Sequence, residues 1–389
     1  MKICACIVEY NPFHLGHSKH LDYIKNVLGA DKIIAVMSGN FTQRGEPAVL
    51  DKFTRARHAI LAGADMVIEL PTVFATSNAE VFAKGAVSII DSLGICENLC
   101  FGVESGTTEK YIRLASALND ESKEFKKLLK ENLETGVSLA KAKFNTVQAL
   151  YGDFDESLIS TPNNILGLEY TKALLSLNSP TEIAPMLRTG DHNDKTLKKG
   201  ITSATSIRQI LKTGAIKKLK KNVPSFVFPD LKDYPYSYEK LAMASIVTKP
   251  AELIEKCPDC TEGLENRIKA LAKGNLNLDA LVDKVTTKRY TETRIRRIIN
   301  ANLLGITKDL VSDCLKAPTY AKVLAINEKS TDLLSLVSAT SKIPLITRKS
   351  DTLSLKKTAL KCYQLDELST DLYNLITDDN KNHNQMLII

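Results

Sequence analysis

The chain has 389 residues, of which 44% are apolar and 25% charged, and it carries a formal net charge of +7. That length exceeds one ordinary hydrophobic core, the composition is that of a globular protein, and eight cysteines spread so thinly do not suggest a disulfide framework. No apolar run reaches the length of a membrane span, and the start lacks the basic-then-apolar layout of a secretory signal, so no membrane contact and a cytoplasmic location are expected.

The apolar run Ile3–Val8 predicts a buried first strand ending in a turn that contains Pro12. Leu21, Ile24 and Leu28, spaced by three and four, predict a helix over Ser18–Leu28. Lys32–Met37 reads as a second strand and Asp51–Ala62 as a helix capped by Asp51 and closed by Gly63. A third strand, Met66–Leu70, stops at Pro71, and a helix runs from Ser77 to Ser92. Leu99–Val103 is a fourth strand; residues 107–150 are helical, with a break at Gly136. Ile165–Leu177 is another helix, Ile183–Leu187 a fifth strand, and Ser203–Leu211 a last helix before Gly214. Strands alternating with helices predict an α/β fold, a Rossmann-like parallel sheet with helices on both faces. Ligands bind such sheets at the carboxyl ends of the strands, where Tyr10–His17, Gly102 and Arg188 fall.

Beyond Gly214 the strand signals fade. Lys217, Lys218, Lys220 and Lys221 crowd a linker, and Pro224, Pro229 and Pro235 keep residues 222–236 irregular. From Ser237 onward the pattern is mainly helical, with Ile343–Ile346 the one short strand candidate. Residues 1–214 hold equal numbers of basic and acidic side chains, so the whole excess charge lies in residues 215–389. The expected organisation is therefore a nucleotide-binding catalytic domain over 1–214 and a basic, mainly helical domain over 215–389 that binds a polyanion. Cys257-Pro258-Asp259-Cys260 is a C-x-x-C without two further ligands at zinc spacing, and reads as two free thiols in a turn. No metal site is expected.

His14-Leu15-Gly16-His17 at a strand-to-helix turn places two imidazoles where a nucleotide phosphate would sit, beside the free N–H groups of a helix start. Gly16 suits such a turn because a missing Cβ lets a purine or ribose lie against the backbone. Longer blocks accompany it. They are Val8-Glu9-Tyr10-Asn11-Pro12-Phe13-His14-x-Gly-His17, Met37 to Ala48, Gly63 to Pro71, Leu99 to Gly102, Pro162 to Tyr170, Ser203 to Arg208, and Lys288 to Arg294. Together they resemble the HIGH-type nucleotidylyltransferase superfamily and, within it, the bacterial tRNA(Met) cytidine acetate ligases. That resemblance implies that ATP activates acetate as acetyl-AMP, and that the acetyl group passes to N4 of the wobble cytidine of elongator tRNA(Met). It implies ATP contacts along Ile7, Val8, Glu9, Tyr10, Asn11, Pro12, Phe13, His14, Leu15, Gly16, His17, Ser18, Lys19 and His20, and at Gly102, Asn163 and Arg188. His14, His17, Ser206 and Arg208 would carry catalysis as phosphate donors and charge-balancing groups, with Mg²⁺ accompanying ATP.

Asn163 also suits a helix cap, and Ser203 to Ser206 suit one equally well. A role for His192 is doubtful, because the family more often has a longer loop between Arg188 and its histidine. Phe41 and Arg44 are candidates for an acetate pocket, which needs a cation and a tight apolar wall. Lys288, Arg289, Arg294, Arg296 and Arg297 read as one cationic helix face, with Ile295, Ile298 and Ile299 turned inward. Of these, Lys288, Arg289, Arg294 and Arg297 are the expected tRNA phosphate contacts. Two other readings remain: a nucleotidylyltransferase moving AMP onto a small phosphorylated metabolite, and a catalytically silent RNA-binding protein. No obligate protein partner is implied.

Overall fold

A computed structural model describes residues 1–120, 122–137, 139–188, 203–232, 235, 237–274, 277–317, 319–377 and 385–389. In chain order its first elements are β1 (Ile3–Val8), α1 (Leu15–Asn26), β2 (Lys32–Ser38), α2 (Lys52–Leu61), β3 (Met66–Leu70), α3 (Thr72–Ala75), α4 (Ala79–Leu93) and β4 (Asn98–Val103). Then come α5 (Thr108–Leu118), α6 (Lys123–Glu134), α7 (Leu139–Tyr151), α8 (Pro162–Ser176), β5 (Glu182–Leu187) and α9 (Ala204–Lys212). The later part holds α10 (Ser237–Thr248), α11 (Ala251–Glu255), α12 (Leu264–Ala272), α13 (Leu278–Val285), α14 (Glu292–Leu304) and α15 (Lys308–Lys316). It ends with β6 (Ala321–Ile326), α16 (Asp332–Thr340), β7 (Leu345–Ile346), α17 (Lys357–Thr377) and β8 (Leu387–Ile388).

The strands lie in the order β5-β4-β1-β2-β3-β6-β7, with β8 beside β6. β1 to β5 pair in parallel, as the buried apolar runs predict. Successive residues of β1 enter different cores: Ile3, Ala5 and Ile7 on one face, Cys4, Cys6 and Val8 on the other. The strand order reverses between β1 and β4, and the crevice there is where a doubly wound sheet binds its ligand.

One expectation fails in the second half. β6 is a full strand and pairs antiparallel with β3, setting Lys322 opposite Glu69 and Val323 opposite Ile68. Residues beyond 320 thus extend the sheet begun by residue 3. A charge cluster centred on the fully buried Glu69 and Lys52 fastens this join. Lys52 Nζ lies 2.7 Å and Lys322 Nζ 3.0 Å from the Glu69 carboxylate. Beside it Asp366 accepts from Thr72 N at 2.7 Å and from the Tyr320 hydroxyl. Cys257 and Cys260 are free and buried.

Candidate active site

At the end of β1 the chain turns sharply. Tyr10 takes a left-handed φ of +49° and the Asn11–Pro12 bond is cis. Asn11 Oδ1 accepts from Val49 N at 2.8 Å, and Asn11 O accepts from Arg208 Nη1 at 2.9 Å, so the turn is tied to both the β2 loop and α9. Helix α1 starts at Leu15, earlier than the apolar spacing predicts, because His14 serves as its cap. His14 Nδ1 accepts from Gly16 N at 2.9 Å, and His17 Nδ1 accepts from His14 N at 3.3 Å. A neutral imidazole whose Nδ1 accepts carries its proton on Nε2, so both rings keep Nε2 as a donor. The rings stack at 3.8 Å between centroids.

Arg55 holds the floor of the site. Its guanidinium is wholly buried and donates to Leu50 O at 2.9 Å, to Ser38 O at 3.0 Å, to Glu9 O at 2.6 Å and to Gly39 O. A planar five-donor fork can gather four carbonyls in this way, which no other side chain matches. Nothing in the local sequence marks Arg55 apart from other helical arginines.

A cavity of about 480 Å³ opens above these groups. It brings together Ile7, Val8, Glu9, Tyr10, Asn11, His14, His17, His20, Gly102, Asn163, Arg188 and Arg208 from the expected nucleotide set. Pro12, Phe13, Leu15, Gly16, Ser18 and Lys19 do not line it. Gly16 spends its N–H on His14, and Phe13 packs with Tyr10 and Phe226 in the core behind the turn. Ser206 is also outside the lining: it is buried in the cap of α9, its N–H and hydroxyl both bonded to Ser203 Oγ. Arg208, two residues on, reaches the cavity, as Ala204 does, with Nη2 donating to Thr205 Oγ1 at 3.2 Å. Residues 189–202, which include Lys198, Lys199 and His192, lie outside the described residues.

Across β4, a Cβ at Gly102 would sit 3.1 Å from Arg188 Cγ, so the missing side chain lets Arg188 lie flat over the strand. Asn163 does not cap α8; Thr161 holds that position, and the Asn163 amide donates to Glu104 while facing the cavity. Asn164 does the structural work, accepting from Glu104 N at 2.9 Å and donating to Ser157 O at 2.9 Å.

The basic motif of the second half needs the largest correction. Lys288 and Arg289 precede α14 instead of lying on it, and both are exposed. Arg289 pairs with Glu262 at 2.5 Å; Arg296 pairs with Asp279 at 2.6 Å and Glu292 at 2.8 Å. Arg294 donates to Asp259 O at 2.7 and 2.9 Å. Arg297 points into the cavity, with Thr293 beside it. A continuous cationic helix face does not form, because acids from α14 itself, from α13 and from the loop at Asp259–Glu262 pair with these arginines. Arg44 lines the cavity as well, whereas Phe41 is fully buried between Tyr238 and Tyr373, away from it. Among the described residues, four arginines and one glutamate line the site, a balance suited to anionic ligands.

A family model described as HIGH Nucleotidyl Transferase matches residues 1–387. The chain belongs to that family. Within it, the chain is 40% identical over 386 residues to the tRNA(Met) cytidine acetate ligase of Clostridium tetani, covering 94% of this chain and 96% of that one. It is 36% identical over 403 residues to the Clostridium perfringens ligase of the same name, covering 100% and 98%. A crystal structure of Thermotoga maritima TmcAL superposes with a TM-score of 0.94 at 30% identity over the full length of both chains. A second, of the same protein bound with alpha-thio ATP, gives 0.91. This membership places the chain among the tRNA(Met) cytidine acetate ligases, as the seven sequence blocks suggest.

His20, one turn beyond His17, offers a test of the site's electrostatics. Burial first, and Arg188 second, push its pKa down to about 4. Between about pH 4 and 6.5 the unfolded chain therefore binds a proton that the folded protein refuses. His20's contribution to stability is complete above about 6.5 and is lost as the pH falls toward 4. Urea unfolding at pH 7 and pH 5 should show His20→Asn losing about 2 kcal/mol less than the wild type over that interval. Equal losses would mean that His20 is solvated.

Proposed function

We propose that the chain activates acetate with ATP and transfers the acetyl group to N4 of the wobble cytidine of elongator tRNA(Met). The observation that carries this reading is the cavity at the reversal of strand order, where His14, His17 and Arg208 converge from α1 and α9. ATP would lie with its base and ribose toward Gly102, Asn163 and Arg188, and its β- and γ-phosphates toward the two Nε2–H donors and Arg208. An acetate oxygen attacks the α-phosphorus, the bond to the bridging oxygen breaks, and pyrophosphate leaves with the electron pair. The cytidine amine then attacks the acetyl carbon; the C–N bond forms, AMP leaves, and the amine gives up a proton. In-line positioning and donors aimed at developing charge are what this chemistry asks of a protein.

Among the described residues no group of three or more His, Cys, Asp or Glu is placed to hold a metal ion. Mg²⁺ would therefore arrive with ATP, ligated by phosphate and water oxygens. Exposed Lys288 beside α14, and exposed Lys217, Lys218, Lys220 and Lys221, are side chains of the basic half open to an RNA backbone, and Arg289 could join them by exchanging Glu262 for a phosphate. Arg294 and Arg297 serve elsewhere. No helix of the described residues is long and apolar enough to cross a membrane, and we place the reaction in the cytoplasm, with ATP and tRNA.

Acetate-dependent exchange of labelled pyrophosphate into ATP, without tRNA, tests the adenylation step directly. Arg208→Ala should slow that exchange about tenfold to a hundredfold, the worth of one charge-assisted contact, with tRNA affinity unchanged. Normal exchange with weakened tRNA binding would move Arg208 to the RNA surface.

A further inference from the structure

The cavity has a second wall, which the nucleotide placement proposed above leaves unused. β2 lies on the other side of β1 from β4, and its loop brings Gln43 and Arg44 to the cavity. Gln43 N donates to Glu9 Oε1 at 2.8 Å, tying that loop to the end of β1. Gly45, at φ +74°, lets the loop touch the backbone of α14: a Cβ there would meet Arg297 N at 2.4 Å. Arg44 and Arg297 are thus neighbours. Arg44 is half-buried and has no hydrogen-bond or ion-pair partner among the described residues. Arg297 is clamped by Asp259, whose carboxylate takes Nε and Nη2 at 3.1 Å each. Its Nη1 makes no hydrogen bond among the described residues.

Asp259 is itself held from the far side. Its other oxygen accepts from Asn78 Nδ2 at 2.9 Å, and Asn78 caps α4. The next residue, Ala79, and Phe82 one turn on, both line the cavity beside this clamp. The C-x-x-C loop therefore has a purpose unrelated to its sulfurs: the two buried cysteines anchor it, and Asp259 between them aims Arg297.

We propose that Arg44 and Arg297, set against Ala79 and Phe82, form the subsite for the carboxylic acid substrate and limit it to a short chain. The proposal rests on the adenylation reading above. Two guanidinium groups, one free and one half-neutralised, supply hydrogen bonds to a carboxylate without burying a full uncompensated charge. The apolar pair faces what a carboxylate carries at its other end, a methyl group. A phosphodiester of RNA fits less well: Arg297 is only 16% exposed, and its neighbours Ala79 and Phe82 offer a phosphate no donor side chain. The subsite also lies across β1 from Gly102 and Arg188, on the opposite side of the cavity from the proposed nucleoside position. Arg44 and Arg297 bind substrate in this arrangement; Asp259 is a positioning residue.

Pyrophosphate exchange by the full-length protein without RNA, with acetate, propionate and butyrate as the acids, decides the matter. Arg44→Met and Arg297→Met should each raise the KM for acetate tenfold or more and leave the KM for ATP within twofold. Asp259→Asn should raise the acetate KM while kcat at saturating acetate stays near the wild-type value, a split that general loosening of the fold would not give. Phe82→Leu should shift the preference from acetate toward propionate by tenfold or more. Arg44→Met guards against misfolding, since Arg44 has no partner to strand. An unchanged acetate KM in both arginine variants overturns the subsite, and a raised KM for tRNA alone would assign the pair to the RNA backbone. Absence of exchange by the wild-type protein with any acid overturns the adenylation reading and this proposal with it. Exchange in the wild type that none of the variants alters overturns the subsite alone.

Discussion

Replacing His17 by alanine is expected to slow acetyl-adenylate formation by roughly a hundredfold to a thousandfold, with stability lowered by no more than about 1 kcal/mol. The two effects separate because the ring has two different jobs on its two nitrogens. Nδ1 accepts from His14 N and so completes the reciprocal cap of α1. A cap of this kind is worth about 1 kcal/mol, which most folded domains tolerate. His17 lines the cavity, and in the proposed reaction its Nε2–H would meet charge that develops on the phosphates as the bond to pyrophosphate breaks. A preorganised donor lost from such a position costs about 3–4 kcal/mol of transition-state stabilisation. His17→Gln, whose amide reaches nearly as far as Nε2, should recover part of the rate. Exchange assays combined with urea unfolding check both halves. Near-normal exchange in the alanine variant would remove His17 from the chemistry, and parallel loss of rate in the alanine and glutamine variants would tie its effect to the cap.

The same turn shows how much of the site could be read in the sequence. β1 to β4 were legible because parallel strands buried on both faces are continuous apolar runs, a pattern that local composition carries, and the partly buried edge strand β5 keeps enough of that pattern to be read as well. His14, His17, Gly102, Asn163 and Arg188 were legible because each stands at a strand end or helix start, where an α/β sheet exposes its ligand site. β6 was not. Ala321-Lys322-Val323-Leu324-Ala325-Ile326 is a short apolar run inside a helical region, and periodicity alone does not separate a strand from a helix turn there. It becomes a strand because the edge of β3 offers it a partner, some 250 residues away in sequence.

Charge was harder still. Arg294, Arg296 and Arg297 look like a solvated basic face until Asp259 arrives from a loop and Asp279 from α13. Arg55 was invisible for the opposite reason: its partners are backbone carbonyls, which leave no mark in a sequence. The glycines of the Met37–Ala48 block carried a signal whose meaning was hidden. A Cβ at Gly39 would sit 2.6 Å from Glu69 Oε1, so the glycine is there to let a buried carboxylate approach.

That carboxylate leads to the largest expected loss of stability. Glu69 is fully buried, and Lys52 and Lys322 converge on it at 2.7 and 3.0 Å from α2 and β6. Despite burial, which opposes ionisation, the two lysines hold the Glu69 pKa below its ordinary value. Burial in turn lowers Lys52 to about 8, with Glu69 the chief group opposing that fall. Glu69→Ala would leave the buried Lys52 and the largely buried Lys322 beside each other with Asp366 as the only nearby acid among the described residues. Breaking a buried pair from one side costs about 3–5 kcal/mol, a large part of the 5–15 kcal/mol that holds a typical domain together. Lys52 escapes part of that cost by losing its proton: its depressed pKa already makes wild-type stability rise above about pH 8, and loss of Glu69 lowers that pKa further, so the variant's stability should rise more steeply between pH 7 and pH 9. Because Lys322 lies in the strand that joins the two halves of the chain, the damage should appear first as a loosening of β6 from β3. Hydrogen exchange of the β3 and β6 amides, followed beside denaturant unfolding at pH 7 and pH 9, measures both effects. Glu69→Ala combined with Lys322→Met removes one stranded charge and should regain part of the loss, since an apolar group of similar volume is tolerated where an unpaired ion is not. A single variant within about 1 kcal/mol of the wild type, with β6 still protected, would show that packing by Val323 and Ile326 holds the join and that the ion cluster adds little.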